Sequence, residues 1–148
     1  ITKLGRYTLV LLNSCVQGEH HGMLSRRCLQ QLDEHLINSE SQYNIIAIHH
    51  PPVPVNSNWL DEIDLQNQAQ LLQFVNMHPD NSLLLFGHIP QEFDDQIDRL
   101  RLIATPSTCH QFKVNSPVMR CADRSQPAYR YIKLTKSNSI DTKVHYIE

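Results

Sequence analysis

Three short, largely apolar runs mark the chain, at residues 7–12, 43–48 and 82–86, and each ends at a polar or turn-forming group. Runs of this length, rich in Val, Ile and Leu and bounded by Asn, Pro or Gly, predict strands buried on both faces. Residues 13–24 form a polar loop carrying Gly18, His20, His21 and Gly22. Ser25 then caps a predicted helix in which Cys28, Leu29, Leu32 and Leu36 recur at helical spacing, and Asn38 and Ser39 end it. After the second strand a Pro-rich loop leads to a helix expected from about Asp64, with Leu65, Ala69, Leu72 and Val75 on one face and Pro79 closing it.

Downstream of the third strand the pattern changes. Segments 91–95 and 99–104 flank a short polar turn, segments 129–134 and 142–147 flank 135–141, and all four read as antiparallel strands. The succession predicts one domain, an α/β part over about residues 7–90 followed by an antiparallel part over about 91–147. There is no internal repeat and no low-complexity tract.

Composition narrows the function classes. With 148 residues, 41% of them hydrophobic, the chain is expected to bury one core. A net charge of −2 without a basic stripe argues against duplex nucleic acid as a partner. No apolar run approaches the ~18–20 residues of a membrane span, and the first residues lack a signal-peptide pattern, so a soluble cytoplasmic protein is expected. The chain opens on Ile1 rather than Met, which suggests processing or a piece of a longer protein. Cys15, Cys28, Cys109 and Cys121 show no C-x-x-C spacing and are expected as reduced thiols.

The candidate chemistry sits where strands stop. His49 and His50 follow the second strand and are cut off by Pro51 and Pro52, and His88 follows the third after Gly87. Ligands gather outside the carboxyl ends of strands in α/β sheets. A neutral imidazole held there suits a first-row metal, and the alternative is a hydrogen bond to a loop carbonyl. His20, His21, His35, His78 and His145 read as loop or surface residues. Asp61, Glu62 and Asp64 read as acids meeting a helix N-terminus, and Asp94, Asp95 and Asp98 as residues around a hairpin turn. Trp59 and Phe112 either stack on a base or seal the core.

Three blocks carry a resemblance: Ile45-Ile46-Ala47-Ile48-His49-His50-Pro51-Pro52, then Leu83-Leu84-Leu85-Phe86-Gly87-His88-Ile89, then Ile103-Ala104-Thr105-Pro106-Ser107-Thr108-Cys109-His110-Gln111-Phe112. In order and spacing they resemble the C-terminal part of the cyclic-nucleotide phosphodiesterase branch of the calcineurin-like metallophosphoesterases. Gly22-Met23-Leu24-Ser25-Arg26-Arg27-Cys28-Leu29-Gln30-Gln31-Leu32, ahead of these blocks, and Asn58-Trp59-Leu60-Asp61, between the first two, resemble the same family, so the likeness covers about residues 7–147.

The resemblance implies the C-terminal portion of a two-sheet βα sandwich. It implies a pair of divalent metals, manganese or iron, roughly 3.5–4 Å apart, that clamp a small phosphodiester such as a 3′,5′-cyclic nucleotide and activate a water. Carried onto this chain, His49 and His88 resemble ligands to one of those metals, with His50 as the fallback. Thr105, Ser107 and Thr108 resemble a pocket wall whose hydroxyls meet phosphate.

Two departures stand against a complete site. Pro90 takes the place of the second histidine in Gly-His-x-His, and Gly-Asp-x-x-Asp and Gly-Asn-His are absent. No catalytic residue is therefore assigned. The chain is expected to work with a complementing N-terminal half, or to persist as a non-catalytic remnant stabilised as a homodimer or by a partner chain.

Overall fold

The computed structural model describes residues 1–41, 43–78, 82–89, 91–113, 118, 120–121, 126–135 and 139–147. Pro79, expected to close a helix, and Pro90 lie outside the described residues, as do residues 136–138 of the last turn.

A six-stranded mixed sheet runs in the order β1-β2-β3-β4-β6-β5, with β1 at Thr2–Leu4, β2 at Tyr7–Leu11, β3 at Tyr43–Ile48, β4 at Ser82–Phe86, β5 at Phe93–Ile97 and β6 at Leu100–Ala104. The four inner strands β2, β3, β4 and β6 are parallel, and β1 and β5 close the edges antiparallel. Side chains alternate faces along a strand, so the register lines up Val10, Ile46, Leu84 and Leu102 across the sheet. All four are buried. Helices α1 (Arg26–Asn38) and α3 (Gln68–Met77) cover this row with Leu29, Leu32, Leu36, Leu71 and Val75. Each such side chain contributes about 1.5–3 kcal/mol on full burial.

The opposite face carries Ile45, Leu83 and Ile103, with Leu9, Tyr43 and Leu85 half-buried around them. A separate two-stranded hairpin, β7 (Ala128–Leu134) with β8 (Ile140–Tyr146), lays Leu134 and Ile140 against it. Two polar ties hold it there: Tyr7 Oη donates to the Thr135 carbonyl at 2.6 Å and Arg101 Nη1 donates to the Ile140 carbonyl at 3.1 Å. With both faces occupied, the inner strands must be apolar at nearly every position. The cover is partial, since Leu11 at its margin is 67% exposed.

Several expectations hold closely. Ser25 Oγ accepts from Cys28 N at 3.1 Å as the cap of α1, and the strands of 43–48 and 82–86 fall where the pattern placed them. The helix expected from Asp64 begins instead at Gln68; Val75 is buried as expected, but Leu71 is buried with it in place of Ala69 and Leu72. The reason is tertiary. Residues 64–67 are spent on contacts: Gly22 N donates to the Asp64 carbonyl, Leu65 N to Pro51 O, and Gln66 N to Gly22 O. Of the acidic residues expected at its N-terminus, Asp64 accepts from the side chain of Gln68, the first residue of α3, at 2.6 Å, whereas Asp61 is engaged elsewhere. Asp61 ends a short helix α2 (Asn58–Asp61), and its carboxylate accepts from Val55 N at 2.8 Å and Ser57 N at 3.1 Å, pinning the Pro-rich loop. The β5–β6 hairpin belongs to the main sheet through β6, so the α/β layer runs on to Ala104 instead of stopping near residue 90. β1 was not foreseen. Among the described residues no helix is long and apolar enough to cross a membrane.

Candidate metal centre

The four parallel strands end on the same side, and their carboxyl termini deliver the loop after β2, His49 after β3, Gly87 and His88 after β4, and Thr105 after β6. Gly87 N donates to the His49 carbonyl at 3.1 Å, tying two of these ends together. His88 takes φ 64°, a left-handed conformation that costs a non-glycine residue about 1 kcal/mol or more and recurs at functional sites. That backbone turn brings its ring to His49: Nε2 of His49 lies 3.0 Å from Nδ1 of His88, with ring centroids 4.9 Å apart.

His49, His50 and His88 form one group whose ligand nitrogens lie within 4.8 Å of one another. The three differ in what their nitrogens are doing. His50 is buried, its Nε2 lies 3.2 Å from the His20 carbonyl and its Nδ1 lies 2.8 Å from Ser14 Oγ. A carbonyl only accepts, so Nε2 carries the hydrogen and Nδ1 accepts from the Ser14 hydroxyl. Both nitrogens of His50 are committed to bracing the 13–24 loop. His88 Nε2, in contrast, is buried with no partner among the described residues. Burial, reinforced by the neighbouring His49, His50 and His20, pushes the His88 pKa down to about 4, which keeps its nitrogen lone pair available at neutral pH.

This donor set fits one divalent ion and not two. Among the described residues, imidazoles alone make up the group close enough to share an ion, with no carboxylate to bridge a pair. Asp94 is paired with Arg101 at 2.9 Å, Asp98 turns the β5–β6 hairpin at φ 54°, and Asp64 is buried against Gln68 Nε2 at 2.6 Å. The family's Asp-x-His motif, expected to be absent, does occur once as a spacing, at Asp33-Glu34-His35. It sits inside α1, with His35 Nε2 3.2 Å from Asn44 Oδ1 and Asp33 beside His78, and does not join the cluster.

A cleft of about 660 Å³ opens beside the histidines, lined by His49 and His88 and by Thr105, Ser107 and Thr108. His49 and His88, expected to hold metal, and the residues expected to meet phosphate thus line one cleft, whereas His50 does not line it. The hydroxyl-bearing loop is fixed: Ser107 Oγ accepts from Cys109 N at 3.1 Å, and Gln111 Nε2 donates to the Ser107 carbonyl at 2.8 Å. His110 also lines the cleft, a role that its position next to Cys109 did not signal. Trp59 and Phe112 also line the cleft, edge to face at 5.4 Å, and Trp59 packs on the core as well.

No family model matches the chain. Individual relatives do. A 3′,5′-cyclic-nucleotide phosphodiesterase of Nostoc sp. is 36% identical over 143 residues, 97% of this chain and 53% of that protein. The 3′,5′-cyclic adenosine monophosphate phosphodiesterase of Pseudomonas aeruginosa is 35% identical over 148 residues, 100% of this chain and 54% of its own length. The enzyme of the same name from Escherichia coli K12 is 35% identical over 140 residues, 95% of this chain and 50% of that protein. The chain therefore spans about half the length of the curated relatives it matches.

Proposed function

Because the chain belongs to the cyclic-nucleotide phosphodiesterases of the metallophosphoesterase family, matching their C-terminal part, we propose that it forms the histidine side of a metal-dependent phosphodiester-hydrolysing centre. His49 and His88 hold one divalent ion, manganese or iron, and Thr105, Ser107 and Thr108 receive the phosphate. The observation that carries this is the 3.0 Å approach of His49 Nε2 to His88 Nδ1 at the ends of adjacent parallel strands, beside a cleft lined by hydroxyls. A bound divalent ion polarises a phosphoryl oxygen and acidifies a water. The chain's own contribution is positional: His50 and Ser14 brace the loop behind the ligands, and the Gln111 amide fixes the hydroxyl loop.

Carboxylates from outside these residues complete the site, because imidazoles alone neither bridge two ions nor balance the charge of a phosphorane. The substrate class is a small phosphodiester such as a 3′,5′-cyclic nucleotide. The experiment is hydrolysis of cyclic AMP and of bis(4-nitrophenyl) phosphate in manganese, by the chain alone and by a fusion to the N-terminal half of the Pseudomonas aeruginosa relative. The chain alone is expected to give no turnover and the fusion measurable turnover. Silence of a folded fusion would overturn the proposal.

A second reading, a non-catalytic remnant stabilised by self-association or by a partner chain, draws on two observations. Pro90 stands where the family has a ligand, and the sheet face around Leu9, Leu11 and Leu85 is only partly covered. Sedimentation showing a homodimer, together with an inactive fusion, is the outcome that favours it.

A further inference from the structure

The cleft beside the metal-holding histidines is lined by hydroxyls and imidazoles, and among the described residues no lysine or arginine lines it. A phosphate ester is an anion. Hydroxyls offer it hydrogen bonds without charge, and an anion taken out of water with no counter-charge is costly. The chain's own positive charge must therefore come from an imidazole, and three line the cleft: His49, His88 and His110. In the 3.0 Å contact between His49 Nε2 and His88 Nδ1 one nitrogen accepts, so the two rings are not both protonated, and holding an ion requires both as neutral donors. His110 has no such obligation. It is exposed, it stands outside the group of nitrogens close enough to share an ion, and among the described residues no hydrogen bond, ion pair or ring contact engages its side chain. We infer that His110 is the titratable counter-charge of this cleft, an imidazolium that donates to an anionic oxygen of the phosphate ester received by Thr105, Ser107 and Thr108.

This role rests on the phosphate-receiving part proposed above for those three hydroxyls and adds to it a charge that pH switches off. The backbone on both sides of His110 is anchored. Gln111 Nε2 donates to the carbonyls of Ser107 at 2.8 Å and Gln126 at 3.1 Å, Gln111 Oε1 accepts from Ser107 N at 3.2 Å, and Phe112 bridges to Cys121. On the other side Cys109 N donates to Ser107 Oγ at 3.1 Å. One fixed loop thus carries the hydroxyls of Ser107 and Thr108 together with the imidazole, and a phosphate that meets both incurs little ordering cost. The titratable and charged groups around His110 are His49 and His88 in the cleft, Cys109 beside it in sequence, and Lys113, Arg120 and Cys121 along the short pairing that follows. Among them is no carboxylate to compete with phosphate for the imidazolium.

The test uses the chain itself in EDTA, with dimethyl phosphate as the probe, a diester whose single negative charge is constant from about pH 5.5 to about pH 8 while an imidazole titrates. NMR reads its affinity and follows the Cε1 proton of His110 through the same pH series. The probe is expected to bind about tenfold more weakly at the upper end than at the lower, as the charge-assisted hydrogen bond is lost, and at the lower end it should move the His110 resonance saturably. His110→Gln keeps a donor but carries no charge, and at the lower pH it should bind as weakly as wild type does at the upper, with a flat profile. Because His110 is exposed, the substitution leaves the core untouched. Affinity that ignores pH in wild type, or an unchanged profile in His110→Gln, which would put the titration on His49 or His88, would overturn the inference. Thr108→Val separates this claim from the one it rests on. Binding that Thr108→Val weakens but that ignores pH and His110→Gln leaves the hydroxyl wall standing and removes the counter-charge; binding that needs His110 but ignores Thr108→Val does the opposite. No binding at any pH removes both.

Discussion

Replacing Gly22 by alanine should damage the site through a single methyl group. A Cβ built on Gly22 would stand 2.4 Å from both Cγ and Nδ1 of His50 and 2.8 Å from its Cβ. Those distances lie far inside van der Waals contact, and neither side has room to yield. The His50 ring is held at one nitrogen by Ser14 and at the other by the His20 carbonyl, while the Gly22 backbone donates to Asp64 O at 2.9 Å and accepts from Gln66 N at 2.8 Å. Overpacking of this kind costs about 1–3 kcal/mol. Each hydrogen bond given up to relieve it costs about 0.5–1.5 kcal/mol more. The loss of unfolded-state freedom on changing Gly to Ala returns only about 0.4–1 kcal/mol. The net expectation is destabilisation of about 2 kcal/mol, a fall in Tm of roughly 4–8 °C for a chain of this size. Urea unfolding of wild type, Gly22→Ala, His50→Ala and the double variant closes a thermodynamic cycle. With His50 truncated to alanine the two 2.4 Å ring contacts are gone and only the 2.8 Å approach of its Cβ remains, so Gly22→Ala should cost clearly less than it does in wild type. Additive effects in the double variant would refute the claim that Gly22 exists to admit the His50 ring.

Two further perturbations follow from buried polar groups. Arg130, whose side chain is 3% exposed, donates to Ala104 O at 3.0 Å, Glu92 Oε1 at 3.2 Å and Thr142 Oγ1 at 3.1 Å; Arg130→Met should cost about 2–3 kcal/mol in urea unfolding by removing these charge-assisted hydrogen bonds. For His88 the folded chain resists protonation down to about pH 4, whereas the unfolded chain takes the proton near pH 6.5. Below pH 6.5 the unfolded state thus binds a proton that the folded state refuses, so metal-free stability falls as pH drops from 6.5 to 4 and this contribution levels off beneath. The full shift corresponds to about 3.4 kcal/mol, and solvent screening of the half-exposed ring brings it to about 1–2 kcal/mol. The unfolding midpoint of His88→Asn should be correspondingly less sensitive to acid over that window.

How far the sequence foretold the molecule depended on whether the signal was local. Strands β3 and β4 were legible because burial on both faces demands apolar runs, and α1 because its cap and its Leu29, Leu32 and Leu36 stripe are local features. β1 was invisible, since Thr2–Leu4 is exposed at every position and exists only as the partner of β2 across a turn in which Gly5 takes φ 65°. The start of α3 was misplaced because Asp64 and Leu65 follow helical spacing yet answer to Gly22 and Pro51 across the fold. The parallel pairing of β6 with β4 was hidden for the same reason: 101–104 meets 83–86 across an intervening hairpin, and nothing local records it. At the site, His49 and His88 stood out because both terminate strands. What separates His50 from them is a tautomer set by Ser14 and His20, 36 and 30 residues away.

Calorimetric titration of manganese(II) into the chain tests the central claim, that His49 and His88 form the metal-holding half of a phosphodiesterase centre. Saturable binding of about one ion per chain is predicted. It should be abolished by His49→Ala and by His88→Ala, and survive in His50→Gln, because both nitrogens of His50 are already engaged. No saturable binding by the folded chain, or binding that depends on His50 and is indifferent to His49 and His88, would contradict the account.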